Sequence, residues 1–248
     1  MPAAADLSPP LVVRLLSDPV RWRLLRELGA SDRRVRELVD RVGQPQNLVS
    51  YHLRLLRSGG LVVSHRSAFD GRDSYYGLDL QQYGSLFAAT GAFASDDAPA
   101  TRPLRILFLC TGNSSRSQIA EALIDRLSNG AVHAWSAGSK PKTLHPNAVR
   151  VMAARGIDIS RNETKPLDLF TGERFDLVIT LCDKVREVCP DFPDTPDALH
   201  WSVPDPAFAP GTDDETYAVF EQTAVDLEAR ITFLLHRLDV GGVDRGKE

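Results

Sequence analysis

Residues 110–117, CTGNSSRS, place a cysteine between an apolar run, RILFL, and a helix-like run, QIAEALIDRL. Backbone N–H groups of a loop that opens a helix can bind an anion, and Arg116 can add a bidentate contact to a tetrahedral oxyanion. The same field stabilises a thiolate, because a helix N-terminus can lower a cysteine pKa to roughly 3.5–7.5. We therefore expect Cys110 to be a nucleophile beneath a bound oxyanion, with Ser117 hydrogen-bonded to its sulfur and Asn113 holding the loop. The expected oxyanion loop consists of Thr111, Gly112, Asn113, Ser114, Ser115, Arg116 and Ser117.

Two further cysteines, Cys182 and Cys189, bear on the reaction that such a thiolate could serve. A phosphatase finishes by hydrolysis and needs one thiol, whereas a reductase must supply two electrons and needs more sulfur. If residues 182–189 are helical, the two Cα atoms lie about 10 Å apart, whereas a disulfide requires less than about 7 Å. A Cys182–Cys189 bond would therefore require the segment to unwind. The spacing is not that of a zinc site and no fourth ligand is near, so we expect no bound metal.

The runs around Cys110 predict an α/β domain with a central parallel sheet. RILFL has the pattern of a strand buried on both faces, and HAWSAG (133–138) and FDLVITL (175–181) are further strand candidates between helical runs. TDDE (212–215) is a capping box that opens a last helix. Ligands of such sheets bind at the carboxyl ends of strands, which is where Cys110 lies.

The first ninety residues predict a mostly α-helical, winged helix-turn-helix domain. RVRELVDRVGQPQNLVSYHLRLLRS contains two short amphipathic helices with Gly43 and Pro45 between them, and the second helix can enter the major groove of DNA. Two β-prone runs then flank Asp70 and Gly71, a strong hairpin-turn signal. We expect double-stranded DNA as a partner. The expected contacts are Gln46, Asn47, Ser50, Tyr51, His52 and Arg54 on the second helix and Arg66 and Arg72 on the hairpin.

Charge and composition divide the chain into two parts. Residues 1–94 contain 12 arginines, no lysine and nine acidic residues, whereas residues 95–248 contain 17 basic and 24 acidic residues and all three cysteines. The expected organisation is a DNA-binding domain (1–94), a linker (95–103), an α/β domain (104–240) and a polar tail (241–248). No apolar stretch is long enough to cross a bilayer and the N-terminus lacks signal-peptide features, so we expect a cytoplasmic protein with no membrane partner. The odd cysteine count favours reactive thiols over a disulfide scaffold.

Residues 8–90 resemble the ArsR-type winged-helix repressors, with VSYHLRLLRSGGLV at the position of their recognition helix and following strand. The resemblance implies a homodimer that pairs through the first and last helices of the domain, about residues 8–28 and 79–94. Metalloid-sensing members often carry a cysteine pair in or beside the helix-turn-helix, whereas this half has no cysteine. We therefore do not expect it to bind arsenite through thiolates of its own.

CTGNSSRS closely resembles the signature of the low-molecular-weight tyrosine phosphatase fold, and residues 104–238 resemble the thioredoxin-coupled arsenate reductases. The second resemblance rests on CTGNSSRSQIAEAL, SAGS, HPNAV, GIDIS, DLVITLCDKVREVCP and HWSVPDPA. It implies that Cys110 attacks arsenate bound by Arg116 while Asp205 protonates the leaving oxygen. Cys182 then attacks Cys110 and releases arsenite, Cys189 attacks Cys182, and thioredoxin or a similar protein reduces the resulting disulfide. No cofactor is expected to be bound.

The sequence departs from that family at two positions. Many members have a further cysteine where this chain has Ser115, but the three-thiol relay does not use it. Some members bind potassium through an Asn, a Glu, a Ser and an Asp. Asn113, Glu121 and Ser136 match the first three, but Lys165 replaces the Asp, and we expect its ammonium group to replace the cation.

Two other functions stay open. A dedicated low-molecular-weight protein tyrosine phosphatase would share the loop, although PDPAFAP lacks the tyrosine that usually follows Asp-Pro in those enzymes. Alternatively, the chain is a transcription regulator whose C-terminal half serves only as an oxyanion or redox sensor. The complete set of reactive residues argues against that second alternative.

Overall fold

A computed structural model describes residues 9–69, 71–89, 93, 102–188 and 198–240. Cys189, Asp70 of the expected hairpin turn, most of the expected linker and the expected tail lie outside these residues. Contacts divide the chain into two compact units. The first comprises Met1–Arg66 and Asp73–Asp79, and the second comprises Ser67–Arg72 and Leu80–Glu248.

The first unit contains a helix-turn-helix. Its elements are α1 (Leu11–Leu16), α2 (Pro19–Ala30), β1 (Arg33–Arg34), α3 (Val35–Val42), α4 (Gln46–Ser58), β2 (Val62–Arg66) and β3 (Ser74–Leu78). α2 begins where the Asp18 carboxylate accepts hydrogen bonds from the N–H groups of Val20 and Arg21. α3 ends at Gly43, whose φ of 65° is a left-handed conformation that favours glycine. The turn after Gly43 leads into α4, so the predicted pair of helices is confirmed.

A three-stranded antiparallel sheet completes this unit. Val62 pairs with Leu78 and Arg66 pairs with Ser74, which confirms the predicted hairpin of β2 and β3. β1 adds a third strand beside β3. No sequence pattern predicts β1, because two residues are too few to show an alternation of apolar and polar side chains.

The second unit contains the predicted parallel sheet. Its elements are α5 (Leu80–Ala89), β4 (Leu104–Cys110), α6 (Arg116–Leu127), β5 (Val132–Gly138), α7 (Pro146–Ala154), β6 (Leu177–Thr180), α8 (Asp183–Val188), β7 (Ala198–His200) and α9 (Asp213–Arg237). The strands pair in the order β5-β4-β6-β7, and every pair is parallel. The α/β fold class is therefore confirmed. β7, three residues long, is a strand that the sequence patterns do not predict.

The strand order places the chemistry at a switch point of the sheet. From β4 the chain first moves outward to β5 and then returns to β6 on the other side of β4. In such sheets ligands bind in the crevice at the carboxyl ends of the strands on either side of the switch. Leu109 pairs with Thr180, and the N–H of Leu181 donates to the carbonyl oxygen of Leu109 at 2.7 Å. This pairing brings the loop after Cys110 to the segment that begins at Cys182.

Helix α9 covers the sheet core with one apolar face. It begins with the predicted capping box, in which the Thr212 hydroxyl accepts from the N–H of Glu215 and the Glu215 carboxylate accepts from the N–H of Thr212 at 2.7 Å. Its buried apolar residues include Phe220, Ala224, Leu227, Ile231 and Leu234. These residues join one core with the buried residues of β4 and β6. No helix in the described part of the chain is both long enough and apolar enough to cross a membrane.

Helix α5 packs against α9 within the second unit. The rings of Phe87 and Phe93 lie 4.9 Å apart, and Phe93 meets Phe233 of α9 at 5.6 Å. These aromatic contacts bury Phe87 and Phe93 almost completely. The pairing of residues 79–94 with a second copy of the chain stays a prediction.

Candidate active site

Cys110 is the last residue of β4, and residues 111–115 connect it directly to α6. Its Sγ accepts a hydrogen bond from the N–H of Asn113 at 3.1 Å and lies 3.0 Å from the Ser117 Oγ. The thiol is buried, and the N-terminal end of a twelve-residue helix faces the loop. Donors at the sulfur and a helix N-terminus beside it suit both a nucleophile and the anion that it attacks.

The side chain of Asn113 fixes the shape of this loop. Its φ of 46° is left-handed, a conformation that asparagine tolerates better than most residues. Nδ2 donates to the hydroxyl oxygens of Ser117 and Ser136 at 2.9 and 2.7 Å. Oδ1 accepts from the N–H of Lys165 at 2.7 Å and from Gln118 Nε2 at 3.1 Å. Because the Ser117 oxygen accepts from Asn113, its own hydrogen is available to the thiol.

A second group of polar side chains continues the network away from the thiol. Lys165 Nζ lies 3.3 and 3.4 Å from the two carboxylate oxygens of Glu121. The Ser136 hydroxyl donates to the same carboxylate and accepts from Asn113. The structure thus brings Lys165, Glu121, Ser136 and Asn113 together in one hydrogen-bonded cluster.

Arg116, the first residue of α6, reaches the segment that follows β7. Nη1 donates to the carbonyl oxygen of Val203 at 2.8 Å, and Nη2 donates to the Asp205 carboxylate at 2.6 Å. Among the described residues, no group accepts a hydrogen bond from Arg116 Nε. Asp205 also caps a short 3₁₀ turn, Pro206–Phe208, by accepting from the N–H of Ala207. A buried guanidinium with an uncommitted N–H can bind an oxyanion, and the neighbouring carboxylate can exchange a proton with it.

Cys182 lies between β6 and α8 and is buried. Its Sγ lies 3.3 Å from the hydroxyl oxygen of Thr111, so the second thiol contacts the loop that follows the first. Burial raises the pKa of the Cys182 thiol, while the positive charge of Arg116 and the hydrogen bond from Thr111 oppose that rise. The sequence patterns place Thr111 in the oxyanion loop but do not indicate this second contact.

The carboxylate of Asp183, the first residue of α8, is buried in a cluster of donors. Oδ1 accepts from His200 Nε2 at 3.0 Å and from the Ser202 hydroxyl, and Oδ2 accepts from the N–H of Ala68, a residue of the same unit, at 2.6 Å. Burial acts to raise the pKa of Asp183, but hydrogen bonds from His200 and Ser202 outweigh it and hold the pKa below its ordinary value. Asp183 is not among the residues expected to function, although His200 belongs to the quoted HWSVPDPA motif.

A cavity of about 490 Å³ lies over these groups, with Arg116, Cys182 and Asp205 in its wall. Lys140 and Lys142 contribute positive charge to the same wall, which favours an anionic ligand. Lys142 Nζ lies 5.6 Å from the centre of the Phe208 ring, and that ring is 77% exposed. Neither Lys142 nor Phe208 is indicated by the sequence patterns. Cys189, the third thiol of the expected relay, lies outside the described residues.

His145 also lines the cavity. Its Nδ1 accepts from the N–H of Asn147 at 3.2 Å, which caps α7, and its ring stacks on Phe220 with centroids 4.5 Å apart. Burial lowers the pKa of His145, although the carboxylates of Asp205 and Asp213 act against that effect. The lowered pKa and the Nδ1 acceptor role both indicate a neutral ring at neutral pH.

In the first unit, α4 presents an exposed face of polar side chains. The exposed residues include Gln46, Asn47, Ser50, Tyr51 and Arg54, and the guanidinium of Arg54 lies 5.6 Å from the centre of the Tyr51 ring. Arg66 and Arg72 of the hairpin region are also exposed.

His52 does not belong to the exposed face of α4 that is expected to contact DNA. The expectation that it lies on the solvent side of α4 is wrong, because the side chain is buried and its Nδ1 lies 3.9 Å from the Asp18 carboxylate. Positions 49, 52, 53 and 56 share the inner face of the helix at a spacing of three to four residues. The helical period therefore turns His52 toward the core.

Known proteins are similar to both parts of the chain. The model of the family described as low molecular weight phosphotyrosine protein phosphatase matches residues 105–242, and a helix-turn-helix domain model matches residues 16–65. An arsenate reductase of Halalkalibacterium halodurans is 41% identical over 126 residues, and an arsenate reductase of Bacillus subtilis is 39% identical over 126 residues. Each match covers 51% of this chain and 91% of the relative. A solved structure of an arsenate reductase in its oxidized state is 28% identical, with a TM-score of 0.48, and the match covers 54% of this chain and 98% of that one. Through residues 105–242, the chain belongs to the low molecular weight phosphotyrosine protein phosphatase family.

Proposed function

We propose that the second unit reduces arsenate to arsenite through Cys110, Cys182 and Cys189. The observation that carries the proposal is the hydrogen-bond contact of the Cys182 sulfur with Thr111, the residue next to Cys110. A phosphatase needs the oxyanion loop but has no use for a second thiol there. The arsenate reductases that match this part of the chain support the same reaction.

The first step uses the oxyanion loop and Asp205. The Cys110 thiolate attacks arsenic and forms a sulfur–arsenic bond, while Arg116 binds oxygens of the arsenate. Asp205 gives a proton to the leaving oxygen, which departs as water. Asp205 can serve both groups because its carboxylate already contacts the Arg116 guanidinium at 2.6 Å.

The next steps transfer two electrons from sulfur to arsenic. The Cys182 thiolate attacks the Cys110 sulfur, the sulfur–arsenic bonding pair passes to arsenic, and arsenite leaves as the Cys110–Cys182 disulfide forms. Cys189 then attacks Cys182 and frees the Cys110 thiolate. Thioredoxin or a similar dithiol protein reduces the Cys182–Cys189 disulfide and supplies the two electrons.

We also propose that Lys165 takes the place of a potassium ion beside the oxyanion loop. Its ammonium contacts Glu121, and the Glu121 carboxylate connects through Ser136 to Asn113. A cation at this position fixes the Glu121 carboxylate. Through Ser136, the carboxylate in turn fixes the Asn113 side chain, which shapes the oxyanion loop. The resident ammonium makes the same interaction without an added metal ion.

For the first unit we propose sequence-specific binding of double-stranded DNA by a homodimer. The helix-turn-helix match and the exposed polar face of α4 support DNA binding. Arsenite release, or the unwinding of residues 183–189, would then change the affinity for DNA. DNA affinity measured on reduced, oxidised and arsenite-saturated protein tests this coupling, and three equal affinities would contradict it.

The deciding experiment for the reductase is arsenate-dependent NADPH oxidation with thioredoxin and thioredoxin reductase. We expect turnover by the wild type and its loss in both Cys182→Ser and Cys189→Ser. Hydrolysis of an aryl phosphate that survives both substitutions, without arsenate turnover, would identify a phosphatase. Absence of both activities would favour a regulator that uses this unit as a sensor.

A further inference from the structure

We infer that Asp183 is a positioning residue that fastens Cys182 and the first turn of α8 to the end of β7. The inference rests on the proposed relay, since it concerns how the second thiol is held against the first. It assigns a role to a buried carboxylate that the three thiols, Arg116 and Asp205 leave unexplained.

The contacts of the Asp183 carboxylate with His200 and Ser202, here called the anchor, lie directly beside the second thiol. Asp183 follows Cys182 in the chain and is the first residue of α8. Its carboxylate contacts His200 Nε2 at 3.0 Å and the Ser202 hydroxyl, and His200 and Ser202 end and follow β7. Because β7 pairs with β6, with Thr180 opposite His200, the Asp183 carboxylate ties the start of α8 to two neighbouring strands of the sheet.

The anchor is itself rigidly held. His200 is fully buried, and its Nδ1 lies 2.9 Å from the Thr180 hydroxyl, so the ring is fixed on both sides. The Asp183 side chain is only 3% exposed. A buried carboxylate with several donors cannot leave its site without exposing unsatisfied groups, whereas six residues of helix are marginally stable on their own.

The consequence is a division of α8 into a fixed start and a movable remainder. Unwinding that brings Cys189 to Cys182 can begin after residue 183, while the Cys182 sulfur stays beside Thr111. An unwound segment of six residues can span any distance up to about 20 Å, so it allows the two cysteine Cα atoms to approach within the roughly 7 Å that a disulfide requires. The anchor therefore allows the third thiol to travel without displacing the second.

The test uses the protein without arsenate, so that it is independent of reductase activity. In a Cys189→Ser background, one equivalent of the disulfide reagent DTNB reacts with one thiol and releases one thionitrobenzoate ion. The other thiol then attacks the mixed disulfide, forms Cys110–Cys182 and releases a second ion. The rate of the second release measures how well the two sulfurs are placed.

In this background, we expect Asp183→Ala to slow the second release at least about tenfold. The first release should not become slower and the affinity for inorganic phosphate should not weaken, which shows that the oxyanion loop is intact. Asp183→Asn, which keeps an acceptor for Ser202, should give an intermediate rate. Asp214→Ala, which removes an exposed carboxylate from the first turn of α9, is the matched control and should leave both releases unchanged.

Whether Asp183→Ala slows or speeds the second release distinguishes a loss of sulfur placement from a change in thiol ionisation. Removal of a negative charge next to a thiol favours the thiolate and, by itself, speeds its attack. A slower second release in Asp183→Ala therefore indicates lost placement, and an equal or faster one overturns the inference. If Asp183→Ala does not fold, Ser202→Ala, which removes a single donor, should slow the second release in the same direction. Wild type that lacks arsenate reduction but shows an Asp183-dependent second release would contradict the proposed function and leave this inference standing.

Discussion

Arg116 Nη2 lies 2.6 Å from the Asp205 Oδ2, and both side chains are largely buried, at 4% and 24% exposure. The guanidinium assigned to the oxyanion thus already holds an anion that belongs to the protein. An entering oxyanion must share Arg116 with Asp205 or displace it. If Asp205 is the proton donor that we propose, its charge opposes oxyanion binding while its proton assists the reaction.

Asp205→Asn should separate these two effects. Removal of the competing charge should tighten phosphate binding by about tenfold, or about 1.4 kcal/mol. Loss of the proton donor should lower single-turnover arsenite release by about 10²-fold. Titration calorimetry and rapid-quench analysis measure the two quantities. Glu228→Gln, which alters an exposed ion pair with Arg155, should change neither.

Thr111→Val should raise the pKa of Cys182 further. The hydroxyl lowers the pKa of a thiol that burial has raised, and valine keeps the shape but removes the hydrogen bond. Each additional pKa unit reduces the thiolate fraction at neutral pH about tenfold. The pH dependence of alkylation, measured on Cys182 alone in a Cys110→Ser, Cys189→Ser background, should move to higher pH. An unchanged profile would count against the Thr111 contact.

Arsenate turnover should be the same in sodium and potassium buffers of equal ionic strength. The reason is that Lys165 already places a positive charge 3.3 Å from Glu121. In Lys165→Met, the carboxylate loses that partner, so the reaction of Cys110 with iodoacetamide should slow and potassium should restore part of it. A large potassium stimulation of the wild type would show that the ammonium does not replace a cation.

Asp125→Asn should stabilise the protein at neutral pH. Burial, followed by repulsion from Glu121, raises the pKa of Asp125 to about 6. Between the unfolded-state pKa near 3.9 and the folded value, stability falls as pH rises, because the unfolded chain ionises first. Asparagine removes that penalty, so the gain in Tm should be absent near pH 4 and reach its full size above pH 6. The Asp125 carboxylate is only partly withdrawn from water, and its remaining contact with solvent keeps the gain below about 1 kcal/mol.

Asp158→Asn is the control of opposite sign. Hydrogen bonds from the side chain and the backbone N–H of Ser160 lower the pKa of Asp158, so its ionised form favours the folded state. Its substitution should lower Tm at neutral pH and have less effect as the pH falls through the carboxyl range. Equal pH profiles for the two variants would contradict the assigned pKa of Asp125.

Arg54→Ala should weaken operator binding about tenfold and reduce the slope of log K against log salt by about one if Arg54 contacts a phosphate. Arg54 is exposed on α4 beside Tyr51. Electrophoretic or fluorescence titrations at several salt concentrations measure the slope. Arg161→Ala, which removes an exposed charge of the second unit, controls for the change in net charge.

His52→Ala should instead lower the Tm of the protein, because the His52 side chain is buried.

Sequence patterns predict the secondary structure correctly where a few neighbouring residues determine it. The apolar run before Cys110, the capping box at Thr212 and the two helices around Gly43 each specify their structure within a few neighbouring residues. The helical period of α4 also carries the correct position of His52, since 49, 52, 53 and 56 form one inner stripe. The polar chemistry of His52 suggests a DNA contact, but its position in the helical period places it in the core.

The remaining features depend on contacts between distant segments. Asp183 and His200 are joined only because β6 and β7 pair, and Thr111 reaches Cys182 only because β4 and β6 pair. Gln118 lies in an apolar helical run, but its Nε2 donates to the Asn113 side chain and to the carbonyl oxygen of Glu163, which lies more than forty residues away in the chain. Strands of two or three residues, such as β1 and β7, have too few positions to show a period.

The ladder between β4 and β6 makes catalytic competence inseparable from completion of the fold. Leu109 and Thr180 are neighbours in the sheet but 71 positions apart in the chain, so a large loop must close before they meet. A slip of one residue would turn the side chains of β6 to the opposite face of the sheet and carry Cys182 away from Thr111. A partly folded chain that has its helices but not this ladder therefore has the thiols without the reaction. Turnover thus reports on a single long-range register, and a newly made chain acquires its redox chemistry only when that register closes.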